Sequence, residues 1–188
     1  MASIEPAEYQ RIIDFLKALD KKLKKRSTLF LIGGGAITLA YSPDNRTADI
    51  DVIDVDEGLA SLGGIDSELA QDYGVYLSPL FDITFSVPSD WRSRCRLVEL
   101  GLHKLEIRVA DPYDIVLGKL ARLEPKDIED ILALKQAGHI EVDMLLDRLN
   151  DNLAEAKKFS HYGKNASLLF GDILERPIVF KQGRARFV

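Results

Sequence analysis

Apolar positions fall in three patterns along the chain, helical spacing, an unbroken run and strict alternation, and each predicts an element. Tyr9, Ile12, Ile13, Leu16, Leu19 and Leu23 fall at helical spacing, so residues 6–25 read as an amphipathic helix with Pro6 near its first turn. Leu29–Ile32 is a short unbroken apolar run, the pattern of a buried strand, and it ends in Gly33-Gly34-Gly35. A short helix is expected from Ala36 to Tyr41. Ser42-Pro43-Asp44-Asn45 is turn chemistry. Asp49–Val55 then alternates polar and apolar, as a half-buried strand does.

Residues 57–72 read as a loop with a helical segment near Ser67–Asp72. Val75–Leu77 reads as a short strand. Phe81, Ile83, Phe85 and Val87 alternate with Asp82, Thr84 and Ser86, which predicts a strand over 81–87. Arg94–Leu100 and Leu102–Val109 read as a hairpin turning at Gly101. The period then becomes helical. Asp111-Pro112 and Glu124-Pro125 are a cap followed by a first-turn proline, with Gly138 closing the second helix. Val142, Leu145, Leu146, Leu149 and Leu153 make a third. Past Phe159 the periodicity is lost, which predicts an extended or weakly ordered tail. The reading is an α/β (α+β) chain: a small mixed-sheet core over 1–110, a helical lobe over 111–160 and a tail over 161–188.

Composition narrows the class. Of 188 residues, 46% are hydrophobic and 29% charged, the proportions of an ordinary globular protein. Cys95 is the sole cysteine, so an internal disulfide is excluded and a reducing compartment is expected. The first residues lack an apolar leader, and the longest apolar run, Leu29–Ala40, is too short to cross a bilayer. The expected location is cytoplasmic, with no membrane partner. A net charge of −5 argues against non-specific coating of nucleic acid. Local basic clusters remain: Lys21, Lys22, Lys24, Lys25 and Arg26; Arg92, Arg94 and Arg96; and Lys181, Arg184 and Arg186. The arginine triplet, taken as alternating along a strand, either lines up for phosphates or is simply solvated.

The candidate chemistry lies between residues 33 and 51. Alternate side chains of a strand share a face, so Asp49 and Asp51 point the same way, roughly 7 Å apart. Aspartate is disfavoured in strands, and like charges on one face repel unless something compensates. Two such carboxylates beside a glycine turn are the parts of metal-assisted nucleotidyl transfer. Asp54 and Asp56 belong to the outgoing loop, because Ile53 shifts the alternation. The turn is not a P-loop, since it lacks the lysine and hydroxyl residue that close one. It approaches a dinucleotide-binding turn, but Thr38 stands where a third small residue is needed. An oxidoreductase that binds NAD(H) without metal, or a non-catalytic nucleotide- or partner-binding module, are the alternatives. His103, His139 and His161 are too scattered to form a metal cluster, and Trp91 reads as a packing residue.

Gly33-Gly34-Gly35-Ala36 with Arg46-Thr47-x-Asp49-x-Asp51 resembles the motif of the polymerase-beta-type nucleotidyltransferases. The nearest likeness is to the AbiEii-like bacterial group, which includes toxins of type IV toxin–antitoxin systems. Pro112-x-Asp114-Ile-Val-Leu-x-Lys119-Leu and Lys126-Asp127-Ile-x-Asp130-Ile are similar to that group's helical Lys and Asp motif. The chain departs from the frequent Gly-Ser turn: Gly34-Gly35 offers only backbone amides, which still form an anion nest. The resemblance implies an enzyme that transfers a nucleoside monophosphate from an NTP to a hydroxyl, using two Mg2+ ions, with Mn2+ as a substitute. Its acceptors include tRNA ends or a protein, and its partners an antitoxin. Asp49, Asp51 and Asp82 would hold the metals, with Glu106 as the alternative third ligand. Gly33, Gly34, Gly35, Arg46 and Thr47 would bind nucleotide. Lys119 would hold the triphosphate, and Asp127 would orient Lys119 or a substrate hydroxyl.

Overall fold

The computed structural model describes residues 7–45, 47–80, 87–156 and 160–188. The chain divides into two compact units, Met1–Phe81 with Arg92–Ala110, and Asp82–Trp91 with Asp111–Val188. Residues 81–86 of the strand expected over 81–87, Asp82 among them, and Arg46 lie outside the described residues.

The first unit is built on a mixed five-stranded sheet. Helix α1 (Ala7–Lys22) leads into β1 (Ser27–Leu31), α2 (Gly33–Ala40) and β2 (Asp49–Ile53). Helices α3 (Glu57–Gly63) and α4 (Glu68–Tyr73) precede β3 (Tyr76–Pro79). A one-turn helix α5 (Trp91–Arg94) opens onto β4 (Arg96–Val98) and β5 (Leu105–Val109). The strand order is β3-β2-β1-β5-β4. β1 runs antiparallel to β2 and parallel to β5, and β4–β5 is the antiparallel hairpin that the sequence anticipates. An antiparallel first pair excludes the doubly wound parallel sheet of dinucleotide-binding oxidoreductases.

Alternation decides which face is core. Leu29, Leu31, Ile50, Val52, Leu105, Ile107 and Val109 are buried together with Ile12, Phe15, Leu16 and Leu19 of α1 and Ala36 and Ile37 of α2. The opposite face carries Thr28, Phe30, Asp49, Asp51, Glu106 and Arg108, all exposed or half-buried. Each fully buried aliphatic side chain contributes about 1.5–3 kcal/mol, so a one-residue slip of β2 would exchange its core residues for aspartates.

One polar group is buried by design of the connection. Asp20 is 5% exposed near the end of α1, and its carboxylate accepts the backbone N–H groups of His103, Lys104 and Leu105 at 2.7–3.2 Å. Burial raises its pKa, but those N–H donors outweigh burial and hold it below the ordinary carboxylate range.

Several local expectations are corrected. The glycines are the first turn of α2, not a separate turn before it. Residues 57–63 form α3 rather than loop, started by Asp56, which accepts the N–H of Leu59 at 2.8 Å. Arg92 and Arg94 stand on α5, and only Arg96 is on a strand. Arg92 is bound to Asp54, and Arg96 donates to the Ala40 carbonyl and lies over the Tyr41 ring. The three arginines therefore do not form an alternating row.

The second unit holds α6 (Pro112–Lys119), α7 (Pro125–Gln136), α8 (Val142–Ala156), α9 (Tyr162–Leu168), a π-helical turn (Leu169–Ile173) and an antiparallel hairpin of β6 (Ile178–Lys181) and β7 (Arg184–Phe187). Trp91, assigned to this unit, is buried, as a packing residue is. The tail is ordered, against expectation, because asparagines tie it down. Asn150 of α8 both donates to and accepts from the backbone of Ala185, at 3.0 and 2.7 Å. Asn165 of α9 donates to the carbonyl of Leu120 at the end of α6. The hairpin turn Gln182-Gly183 has positive φ at both residues (51° and 75°), the geometry that matches strand twist. Among the described residues no helix is long and apolar enough to cross a membrane.

Candidate active site

The glycine turn and the acidic strand close on each other within the first unit. Gly33 has φ +63°, and a Cβ built there would stand 2.2 Å from Asp51 Oδ2. A Cβ at Gly35 would stand 3.1 Å from the Ile50 backbone. Glycine at 33 suits the left-handed backbone, and the Asp51 carboxylate packs against it. The N-cap of α2 is Ile32, which offers no side-chain cap. The N-cap side chain therefore takes none of the first-turn N–H groups, and the positive end of the helix is turned to this site, as in anion-binding helix N-termini.

Thr47 holds the acidic face from below. Its hydroxyl donates to Asp49 Oδ1 at 2.7 Å and lies 3.1 Å from the Asp49 carbonyl oxygen. Thr38 Oγ1 stands 3.0 Å from the carbonyl oxygens of both Gly34 and Asn45, and the Asn45 amide donates to Gly34 at 3.4 Å. These contacts fasten Asn45 to the first turns of α2. Thr38, a misfit for a dinucleotide turn, is the buried residue that makes this fastening. Asp54 leaves β2 with φ +61°, and Asp56 caps α3, so neither shares the face of Asp49 and Asp51.

Asp49 and Asp51 are half-buried, one step apart on β2, with room for an oxygen-seeking cation only if further ligands join them. Glu106 does lie on the same sheet face. Its register partner on β1 is Thr28, four residues from Ile32, whose N–H bonds the Asp51 carbonyl. That is roughly 13 Å along a strand, and Glu106 is ion-paired with Arg108 at 2.6 Å. Among the described residues no three His, Cys, Asp or Glu side chains gather as a metal site, and Asp82 lies outside those residues.

A second polar cluster lies within the second unit. Lys119 is 10% exposed at its side chain and donates to Asp127 Oδ1 at 3.1 Å and Asp130 Oδ2 at 2.6 Å. Arg122 donates two N–H groups to Asp127, at 2.9 and 3.0 Å. Asp127 also accepts the Glu124 backbone N–H, completing a capping box at the start of α7. Lys126 adds a contact to Asp130 at 3.4 Å. Burial raises the pKa of Asp127, but Arg122, Lys119 and the Glu124 N–H together outweigh it and leave the carboxyl below its usual value.

Residues 7–166 of the chain match the model of a family described as "Nucleotidyltransferase of unknown function (DUF6036)". The chain belongs to this family. No curated protein matches its sequence. The crystal structure of an antigenic nucleotidyltransferase-like protein from Paracoccidioides brasiliensis is similar at 14% identity and a TM-score of 0.40, covering 84% of this chain and 94% of that one.

In this nucleotidyltransferase-family chain the structure brings together Gly33, Gly34, Gly35, Thr47, Asp49 and Asp51, and separately Lys119 with Asp127. It does not bring Glu106 to the acidic pair. Sequence reasoning gave no site role to three contributors. Asp130 shares Lys119 with Asp127, and its signal was the i, i+3 spacing of two acids on one helix. Thr38 and Asn45 were visible only as a failed motif and a turn.

Proposed function

We propose that the protein is a metal-dependent nucleotidyltransferase that moves a nucleoside monophosphate from an NTP to a hydroxyl acceptor. The observation that carries this reading is the 2.2 Å approach of a notional Gly33 Cβ to Asp51 Oδ2. It sets an uncapped helix N-terminus directly against paired carboxylates. One feature receives phosphate oxygens, and the other receives the cations that accompany them.

The donor set suits magnesium: two hard carboxylates and no soft ligand, with Asp49 already oriented by Thr47. Asp49 and Asp51 would hold two Mg2+ ions, or Mn2+, with Asp82 as the third ligand; the register of β5 disfavours Glu106. Bound there, the ions would supply charge neutralisation and a more acidic acceptor hydroxyl. The chain's own residues do the rest. The N–H groups of Gly33, Gly34 and Gly35 bind phosphate oxygens, joined by Arg46 and Thr47. Lys119 has three donors, two of them used by Asp127 and Asp130, which leaves one for a triphosphate oxygen. Asp127 fixes the direction of that ammonium.

The acceptor in this reading is an RNA end such as that of tRNA, or a protein hydroxyl. The resemblance to the AbiEii-like group extends the proposal to a toxin checked by an antitoxin. The test is incubation of the pure protein with each labelled NTP, Mg2+ and total RNA, following label into RNA or protein. Transfer lost in Asp49→Asn and Asp51→Asn supports the reading. Transfer retained by both variants overturns it.

A further inference from the structure

The hairpin of β6 and β7 separates its side chains by chemistry. The register pairs Ile178 with Phe187 and Phe180 with Ala185 on one face, and Val179 with Arg186 and Lys181 with Arg184 on the other. The first face is the anchored one: Ile178 and Ala185 are buried, and the Phe187 ring meets Phe170 edge-on at 6.2 Å. The second face presents Lys181, Arg184 and Arg186, all exposed. None of the three has an ion-pair partner among the described residues, whereas Arg176 nearby in sequence is paired with Asp143 at 3.1 Å.

Lys181 and Arg184 stand directly opposite each other. Like charges in that position destabilise a two-stranded ribbon, and such a ribbon is marginal by itself. The fold could relieve the repulsion with one glutamate and does not, in a chain that carries 30 acidic residues against 25 basic ones. The ribbon is fastened to α8 by the double hydrogen bond of Asn150 to Ala185. A short row of cations at alternate positions suits a flexible polyanion that can follow it, the backbone of a single nucleic-acid strand. Two arginines add forked donors that fit phosphate. The cationic face bears only half-buried Val179 between its charges, so it lacks the apolar anchor by which a membrane-surface element inserts.

We propose that this face of the β6–β7 hairpin is a docking surface for the phosphate backbone of single-stranded RNA, contributed by Lys181, Arg184 and Arg186. The surface acts by charge and reads no sequence. The proposal does not rest on the catalytic reading, because docking requires neither NTP nor metal.

The test is fluorescence anisotropy of the full chain with a labelled 20-nucleotide mixed-sequence RNA, at a series of salt concentrations and without NTP or Mg2+. Expected for the native chain is binding that weakens linearly in log–log against salt. Lys181→Gln/Arg184→Gln/Arg186→Gln should reduce the magnitude of that slope by about 2, since each single-strand phosphate contact contributes about 0.7. Arg184→Lys/Arg186→Lys, which keeps all charges, should keep the slope. An unchanged slope in the triple glutamine variant, with an unchanged melting curve, overturns the proposal. If the triple variant fails to fold, Arg186→Gln alone, opposite neutral Val179, should still lower the slope by about 0.7; no change there overturns it. Vesicles of anionic phospholipid are the competing probe. Retention of vesicle binding by the native chain without RNA binding also overturns it.

Discussion

Two acidic pairs, Asp49/Asp51 and Asp127/Asp130, use the same side chain to opposite ends. The strand pair is half-buried, and the described partner of Asp49 is a neutral hydroxyl, that of Thr47. The helix pair is buried, at 1% and 2% exposure, and is met by Lys119, Arg122 and Lys126. A carboxylate satisfied by cations of its own chain has little charge left to offer. One held by a hydroxyl is oriented but keeps its charge. In the proposed reading, the charge that Thr47 leaves on Asp49 is met by a metal ion. Neutralisation at full burial marks a residue that holds its own fold, or that holds a lysine in place.

The largest expected effect lies at the strand pair. Asp51→Asn should reduce transfer by at least about a thousandfold, equivalent to about 4 kcal/mol in the barrier, while the melting temperature stays level or rises, measured by labelled transfer and circular dichroism. A clear fall in melting temperature would make Asp51 structural and erase the contrast. Asp127→Asn should behave in reverse: it strands Lys119 and Arg122 beside a neutral group and should cost about 3–5 kcal/mol of stability, read from urea unfolding. Stability unchanged to within experimental error would show that the helix pair is not a structural network.

Lys119→Ala tests whether that network also serves the nucleotide. NTP transfer should fall by one to two orders of magnitude, about 1.4–2.8 kcal/mol, with Lys119→Arg recovering part of it. Lys126→Ala, at a half-exposed lysine, is the control. Equal small effects on transfer from both would confine Lys119 to folding.

The smallest effect is in pH. Asp127 has a folded-state pKa below its unfolded value, so its contribution to stability is fully present above the unfolded value, about 3.9, and is lost as pH falls through the lower folded value. Urea midpoints should therefore be flat from neutrality to about pH 5 and decline below about pH 4. In Asp127→Asn the part of that decline due to this group should vanish. An identical decline in the variant would assign the acid sensitivity elsewhere, with Asp20 the next candidate.

The glycine–acid pairing was legible because both halves lie in short range: a strand, a left-handed glycine and a period of two leave few arrangements. The capping residues at 111–112 and 124–125 were equally local. What stayed hidden was held by distant partners. The tail showed no periodicity because strands of four residues are too short to show one, and its order depends on Asn150 and Asn165, which no local pattern links to it. Helix α3 was missed because its start is a single side-chain contact, from Asp56. The arginine triplet misled because alternation on paper ignored a helical turn in which the Trp91 N–H bonds the Pro88 carbonyl. Asp20 gave no signal at all, since its three donors stand on the far side of the sequence.

That last contact separates two kinds of assembly in time. The cradle from Gly33 to Asp51 is a contact of low sequence separation, available as soon as β2 leaves the ribosome. The bond from Asp20 to Lys104 spans 84 positions, and it clamps the start of the strand that pairs with β1 in parallel. Contacts of such range form slowly, and chains emerge N-terminus first. Contact order therefore predicts that the carboxylates are arranged while the sheet is still open along its β1 edge, and that Asp20 latches that edge after β5 has been made.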